Sequence, residues 1–74
     1  MSVPGAGTSQ VHIDEAARQL ELAVHDARVA FDCIQLGELD RAHTSAITAR
    51  AAVDAAETLL RAALGEGTGA RDES

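Results

Sequence analysis

The stretch "QLGELDRAH", residues 35–43, decides the fold, because Gly37 is the only glycine between two long alanine-rich segments. Apolar residues recur at intervals of three and four on both sides of it, which is typical of helices. If one helix ran through Gly37, the heptads of the first segment would place Arg41, Thr44 and Thr48 on its apolar stripe. The apolar stripe of the second segment follows different positions, so the register breaks at this glycine.

A glycine inside a helix costs about 0.5–1 kcal/mol relative to alanine, whereas a glycine just past a helix end is favoured. We therefore predict an all-α fold, with helices over about 10–36 and 39–64 folded into an antiparallel helical hairpin. One continuous bent helix is the alternative. Residues 1–9 and 65–74 are rich in glycine and polar residues and are predicted to be flexible tails, with Gly65 ending the second helix.

Alanine recurs every seven residues along one row of each predicted helix. We call these two facing rows the alanine seam, and small residues there would allow the helix axes to approach closely. A row of larger residues beside it, Ile13, Leu20 and Ile34 against Leu39, Val53 and Leu60, is predicted to close the edges of the hairpin. The seam consists of Ala16, Ala23, Ala30, Ala42, Ala49, Ala56 and Ala63.

A second apolar line runs along the first helix through Leu22, Val29 and Leu36, about 160° around the helix from Leu20. Ile47 and Leu59 also lie away from the main stripe of the second helix. A two-helix hairpin covers only one of these surfaces, and helices that are apolar on two sides are usually buried on two sides. We predict that these five residues form a partner interface. The partner is a second copy, which would complete a four-helix bundle, or a helix of another protein.

The composition argues against direct nucleic-acid binding. All six cationic side chains are arginines, the formal net charge is −6, and Phe31 is the only aromatic residue. Binding phosphates needs a basic face, and stacking on bases needs aromatic side chains. An acidic inhibitor that imitates a nucleic acid remains an alternative, and its contacts would be Asp14, Glu15, Glu21 and Asp26.

Cys33 is the single cysteine, which excludes an internal disulfide and fits a reducing compartment. No apolar run approaches the roughly 18 residues needed to span a bilayer, and the first residues lack the features of a secretory signal. We expect a cytoplasmic protein that does not bind membranes.

No arrangement of residues predicts catalysis, and we expect no enzyme activity, no catalytic residue, no cofactor and no metal. Cys33 follows an aspartate near a helix C-terminus, and both disfavour a reactive thiolate. A ligand-binding or metal-binding regulator is the alternative, because carboxylates and histidines three or four residues apart share a helix face. Its candidate contacts are Glu21, His25, His43 and Arg50, with Asp40 beside His43.

The stretch "LGELDRA", residues 36–42, is similar to the turn between the two helices of a tetratricopeptide repeat. In that family a glycine ends the first helix and an alanine five residues later begins the packed face of the second, as Gly37 and Ala42 do here. The resemblance implies a hairpin turn and covers one repeat at most. The usual aromatic residues of the family are missing.

The sequence as a whole predicts a non-catalytic protein–protein interaction module, a small acidic adaptor, regulator or assembly component.

Overall fold

The computed structural model describes the backbone of residues 4–68 and the side chains of residues 9–65. It contains two helices, α1 (Pro4–Gln35) and α2 (Leu39–Thr68), which reverse direction between them and pack against each other. Both segments are rich in alanine, leucine, glutamate and arginine, which are strong helix formers. The predicted all-α helical hairpin is confirmed, and one continuous helix is excluded.

The turn is built around Gly37, which adopts a left-handed backbone conformation with φ of 76°. The Glu38 N–H donates to the Cys33 carbonyl at 2.8 Å, and the Gly37 N–H donates to the Ile34 carbonyl at 3.0 Å. These two bonds form a Schellman motif, which satisfies carbonyl groups that the last turn of a helix otherwise leaves unpaired. An L-residue with a Cβ is strained in this conformation, so the glycine is required by the backbone.

Glu38 also immediately precedes the second helix and contributes to its first turn. Its carbonyl accepts the first bond of α2, from the Ala42 N–H at 3.0 Å. Its carboxylate accepts a hydrogen bond from Arg41 Nη1 at 2.6 Å, and Asp40 places a negative charge in the first turn, where the helix dipole favours it. One residue therefore closes the C-terminal motif of α1 and precedes the first residue of α2, which makes the reversal very short.

The outer ends of the helices differ from the predicted bounds. α1 begins at Pro4 rather than near residue 10, and a proline in the first turn is favourable because its missing N–H would have no partner there. The prediction that Gly65 ends the second helix is wrong, because α2 continues to Thr68. Gly65 is not in the left-handed conformation that a helix-ending glycine adopts. Of the tails predicted at 1–9 and 65–74, residues 1–3 and 69–74 lie outside the described residues.

The side chains between the helices are small. Among residues 9–65 the buried apolar side chains are those of eight alanines and one cysteine, and no polar or charged side chain is buried. Alanine methyl groups cover little area, so the helices gain little hydrophobic stabilisation from each other. The buried residues are Ala16, Ala23, Ala30, Cys33, Ala42, Ala49, Ala52, Ala56 and Ala63.

The row of larger residues does not close the edges of the hairpin, contrary to the sequence-based expectation. Ile13, Leu20, Ile34, Leu39, Val53 and Leu60 remain between 40% and 66% exposed. Each helix instead turns its other flank inward. On α1 this inward flank carries Gln19 and Asp26, both half-buried, and Cys33; on α2 it carries Ser45 and Ala52. Small and short side chains fit where two alanine-lined backbones come close, whereas leucine and isoleucine do not.

Candidate protein-interaction surfaces

Two sides of the hairpin can be assigned from the position of the alanine seam. Residues advance by about 100° around a helix, so a residue four places after a seam alanine lies on the flank of the helix. In an antiparallel pair, the flanks reached in this way from both helices face the same side. The row of larger residues on α1 and the one on α2, each of which includes one alanine, therefore share one face, and we name it the apolar face: Ile13, Leu20, Ala27, Ile34, Leu39, Ala46, Val53 and Leu60.

The apolar face is organised in four levels along the hairpin. At about 1.5 Å per residue from the turn, Ile34 lies level with Leu39 and Ala27 with Ala46. Further out, Leu20 lies level with Val53, and Ile13 lies level with Leu60. Starting from the turn, the levels are large, small, large and large. No position in this set is charged, although the net charge of the chain is −6.

Val24 and Phe31 extend the apolar face along α1, and both are more than half exposed. Together with Ala27, Arg28 and Asp32 they line an open groove of about 490 Å³. The groove joins an aromatic ring to one positive and one negative charge. Contiguous exposed apolar surface of this kind marks contact sites in soluble proteins.

Charged residues of both signs border the apolar face. Glu21 and Arg28 lie further around α1, five places after a seam alanine, and Arg50 and Glu57 lie one place after a seam alanine on α2. All four are exposed. Glu57 accepts a hydrogen bond from Arg61 Nη2 at 2.6 Å within its own helix. The Arg50–Asp54 pair that the spacing suggests is absent from the described residues, whereas the equivalent Glu57–Arg61 pair forms.

The predicted interface residues do not form one surface. Leu22, Val29 and Leu59 lie on the face opposite the apolar face, where Leu22 is exposed and the other two are half-buried. Leu36 lies in the turn and is 71% exposed, and Ile47 points away from the seam on the outer side of α2. The larger apolar surface is carried by the residues that sequence reasoning assigned to the edges of the hairpin. The spacing of these larger residues was visible in the sequence, but it was interpreted as a contact between the two helices of one chain.

The residues proposed for metal or ligand binding are dispersed. The exposed His25 has its Nδ1 3.5 Å from Oδ1 of the half-buried Asp26. His43 and Arg50 are exposed on α2. Within the part of the chain that the structure describes, no group of three or more histidine, cysteine or acidic side chains is placed to hold a metal ion. The metal-binding alternative gains no support from this arrangement.

The acidic residues proposed to imitate a nucleic acid are also distributed around α1. Asp14 accepts a hydrogen bond from Gln10 at 2.8 Å. Glu15 accepts bonds from Arg18 at 3.1 Å and from Gln19 at 3.0 Å. These hydrogen bonds, with the one from Gln19 contributing most, lower the pKa of the Glu15 carboxyl. Neighbouring side chains of the same chain therefore already donate hydrogen bonds to the carboxylates of Asp14 and Glu15.

Cys33 is a free thiol, 3% exposed, on the flank of α1 that turns toward α2. Its carbonyl accepts the closing bond of the turn, so the backbone at this position is part of the Schellman motif. A buried thiol of this kind behaves as a small packing residue.

Comparison of the chain with protein-family models, with curated proteins and with solved structures found no match. In the helices that the structure describes, no segment is both long enough and apolar enough to cross a bilayer. The functional argument therefore depends on the geometry of the hairpin itself.

Proposed function

We propose that the chain is a non-catalytic protein–protein interaction module that associates through the large apolar side chains on the outside of the hairpin. One observation carries this proposal. The hairpin packs alanine between its helices and, among the side chains of residues 9–65, leaves thirteen large apolar ones exposed. Most soluble monomers bury such residues or expose them singly, whereas here those of the apolar face, extended by Val24 and Phe31, are contiguous along the hairpin.

The stability of the hairpin supports the same proposal. Below about 70–80 residues a single core rarely supplies more than 3–5 kcal/mol, and a core of alanine supplies less area than one of leucine or valine. A partner that covers the outer side chains would bury the apolar area that the alanine core lacks. The module would then act as an adaptor, regulator or assembly component, and its free, buried cysteine fits a cytoplasmic location.

The proposal is tested by photo-cross-linking in the source cells. A benzoylphenylalanine at position 60, where Leu60 is on the apolar face, should yield a covalent adduct of defined mass. The matched control carries the same group in place of Thr58, an exposed residue two positions away on the outer side of α2. Adducts from position 60 and not from position 58 would support the module. Absence of any protein adduct at position 60, including one with the chain itself, would contradict it.

A further inference from the structure

We infer that the apolar face binds the apolar face of a second copy of this chain, with the two turns at opposite ends of the resulting four-helix bundle. This inference rests on the proposed function and names its partner, its contact surface and its orientation. It places the dimer contact on a different side of the hairpin from Leu22, Val29 and Leu59.

The size of the apolar face fits a stable dimer. The apolar face spans about 22 residues of α1, from Ile13 to Ile34. At about 1.5 Å per residue it is about 33 Å long, and two helices side by side make it about 20 Å wide. This footprint approaches the roughly 800 Å² per partner of a standard interface.

The order of the levels favours the orientation in which the two turns lie at opposite ends of the bundle. In that orientation the two-fold axis passes midway between the Leu20–Val53 level and the Ala27–Ala46 level. The Leu20–Val53 level of one copy then lies against the Ala27–Ala46 level of the other, and this match occurs twice because the contact is symmetric. The two outer levels pair large residues with large ones. With the turns at the same end, each alanine level would face its own copy and leave space unfilled, which costs packing energy.

The bordering charges agree with the same orientation. Rotation about that axis brings Glu21 of one copy within about two residues, or about 3 Å along the helix, of Arg28 in the other. It likewise brings Glu57 level with the His43 of the second copy. Arg50, which is exposed in the hairpin, approaches its own counterpart near the axis, and the length of the arginine side chain allows each charge to reach solvent there. A border with both signs is complementary to itself, whereas a border with one sign would need a partner of opposite charge.

The contact surface is tested by sedimentation equilibrium on three purified full-length chains: wild type, Leu20→Glu and Leu22→Glu. The two variants carry the same substitution on one helix, two residues apart and on opposite sides of it. Wild type and Leu22→Glu should sediment with twice the mass of one chain. Leu20→Glu should weaken association at least about a hundred-fold, because each dimer would bury two unpaired carboxylates. Circular dichroism reports whether each chain remains helical.

The orientation is tested separately on a chain that keeps its apolar face intact. A nitroxide spin label at position 38, in a Cys33→Ala background, should give a single interspin distance of about 40 Å, because each turn lies about 13 residues from the axis at about 1.5 Å per residue. A distance under about 20 Å would place the two turns at the same end of the bundle and would overturn the proposed orientation.

The remaining outcomes are also decisive. Dissociation by Leu22→Glu but not by Leu20→Glu would overturn the contact surface and leave the proposed function intact. A wild-type chain that stays monomeric at about 100 µM would overturn the second copy as partner. The cross-linking at position 60 would then decide, independently, whether another protein covers this face.

Discussion

The same substitution, glycine to alanine, should have opposite effects at the two described glycines whose surroundings are open. A Cβ at Gly37 or at Gly65 would meet no heavy atom within 4 Å. The two positions differ in backbone conformation, because Gly37 has φ of 76° and Gly65 lies in the helical backbone of α2. The comparison therefore isolates backbone strain from steric clash.

The magnitudes follow from these conformations. A left-handed L-residue costs roughly 1–2 kcal/mol, and alanine regains about 0.4–1 kcal/mol by restricting the unfolded chain. Gly37→Ala should therefore destabilise the fold by about 1 kcal/mol, which lowers Tm by about 4–8 °C for a chain of this size. Gly65→Ala should stabilise it by about 0.5–1 kcal/mol, because alanine is the better helix former.

The assay is urea unfolding followed by circular dichroism at 222 nm, with every variant at the same protein concentration because association contributes to stability. Gly37→Asn is the matched control, since asparagine tolerates the left-handed conformation better than alanine does. Its loss should be smaller than that of Gly37→Ala. If Gly37→Ala proved neutral or stabilising, the left-handed turn would not exist and the hairpin argument would fail.

Two further predictions concern the seam and the acidic surface. Ala49→Leu should cost about 1–3 kcal/mol because the added atoms have no space between the helices. Ala51→Leu, on the exposed side, should be nearly neutral, and equal unfolding midpoints for the two variants would refute close packing. For Glu15 the pKa is lowered in the folded state, so its contribution is present above the unfolded pKa and is lost as pH falls through the folded value. The stability advantage of wild type over Glu15→Gln at pH 7 should therefore shrink as the pH falls below the unfolded pKa and be lost below the folded one, and an advantage that stayed constant on acidification would contradict the assignment.

The hairpin could be predicted from the sequence because two independent signals coincide at Gly37. The register of apolar residues changes there, and the glycine supplies the conformation that a helix end requires. The outer ends were less predictable. Gly65 lies in a sequence context that suggests a stop, but its backbone stays helical, and helix ends are poorly determined by propensity alone.

The rotation of the helices about their axes could not be predicted from the same pattern. Periodicity shows which residues share a face, but it does not show which face lies between the helices. Leu20 and Leu60 belong to the row of larger residues that the pattern predicted to close the edges of the hairpin. Close approach of the backbones instead selects small side chains such as Cys33 and Ala52, which leaves the leucines exposed. Large apolar residues beside a regular alanine row are thus ambiguous between a contact within one chain and a contact with another.

The most direct test of this account is an isotope-filtered NOE measurement on a sample that mixes labelled and unlabelled chains. It separates contacts within one chain from contacts between chains. We expect the alanine methyl groups of α1 and α2, such as Ala23 and Ala49, to contact each other within one chain. We expect the methyl groups of Leu20 and Val53 to show contacts between chains. Contacts between Leu20 and Val53 within one chain only, without any contact between chains, would contradict the central claim that alanine forms the hairpin and the larger residues form the association surface.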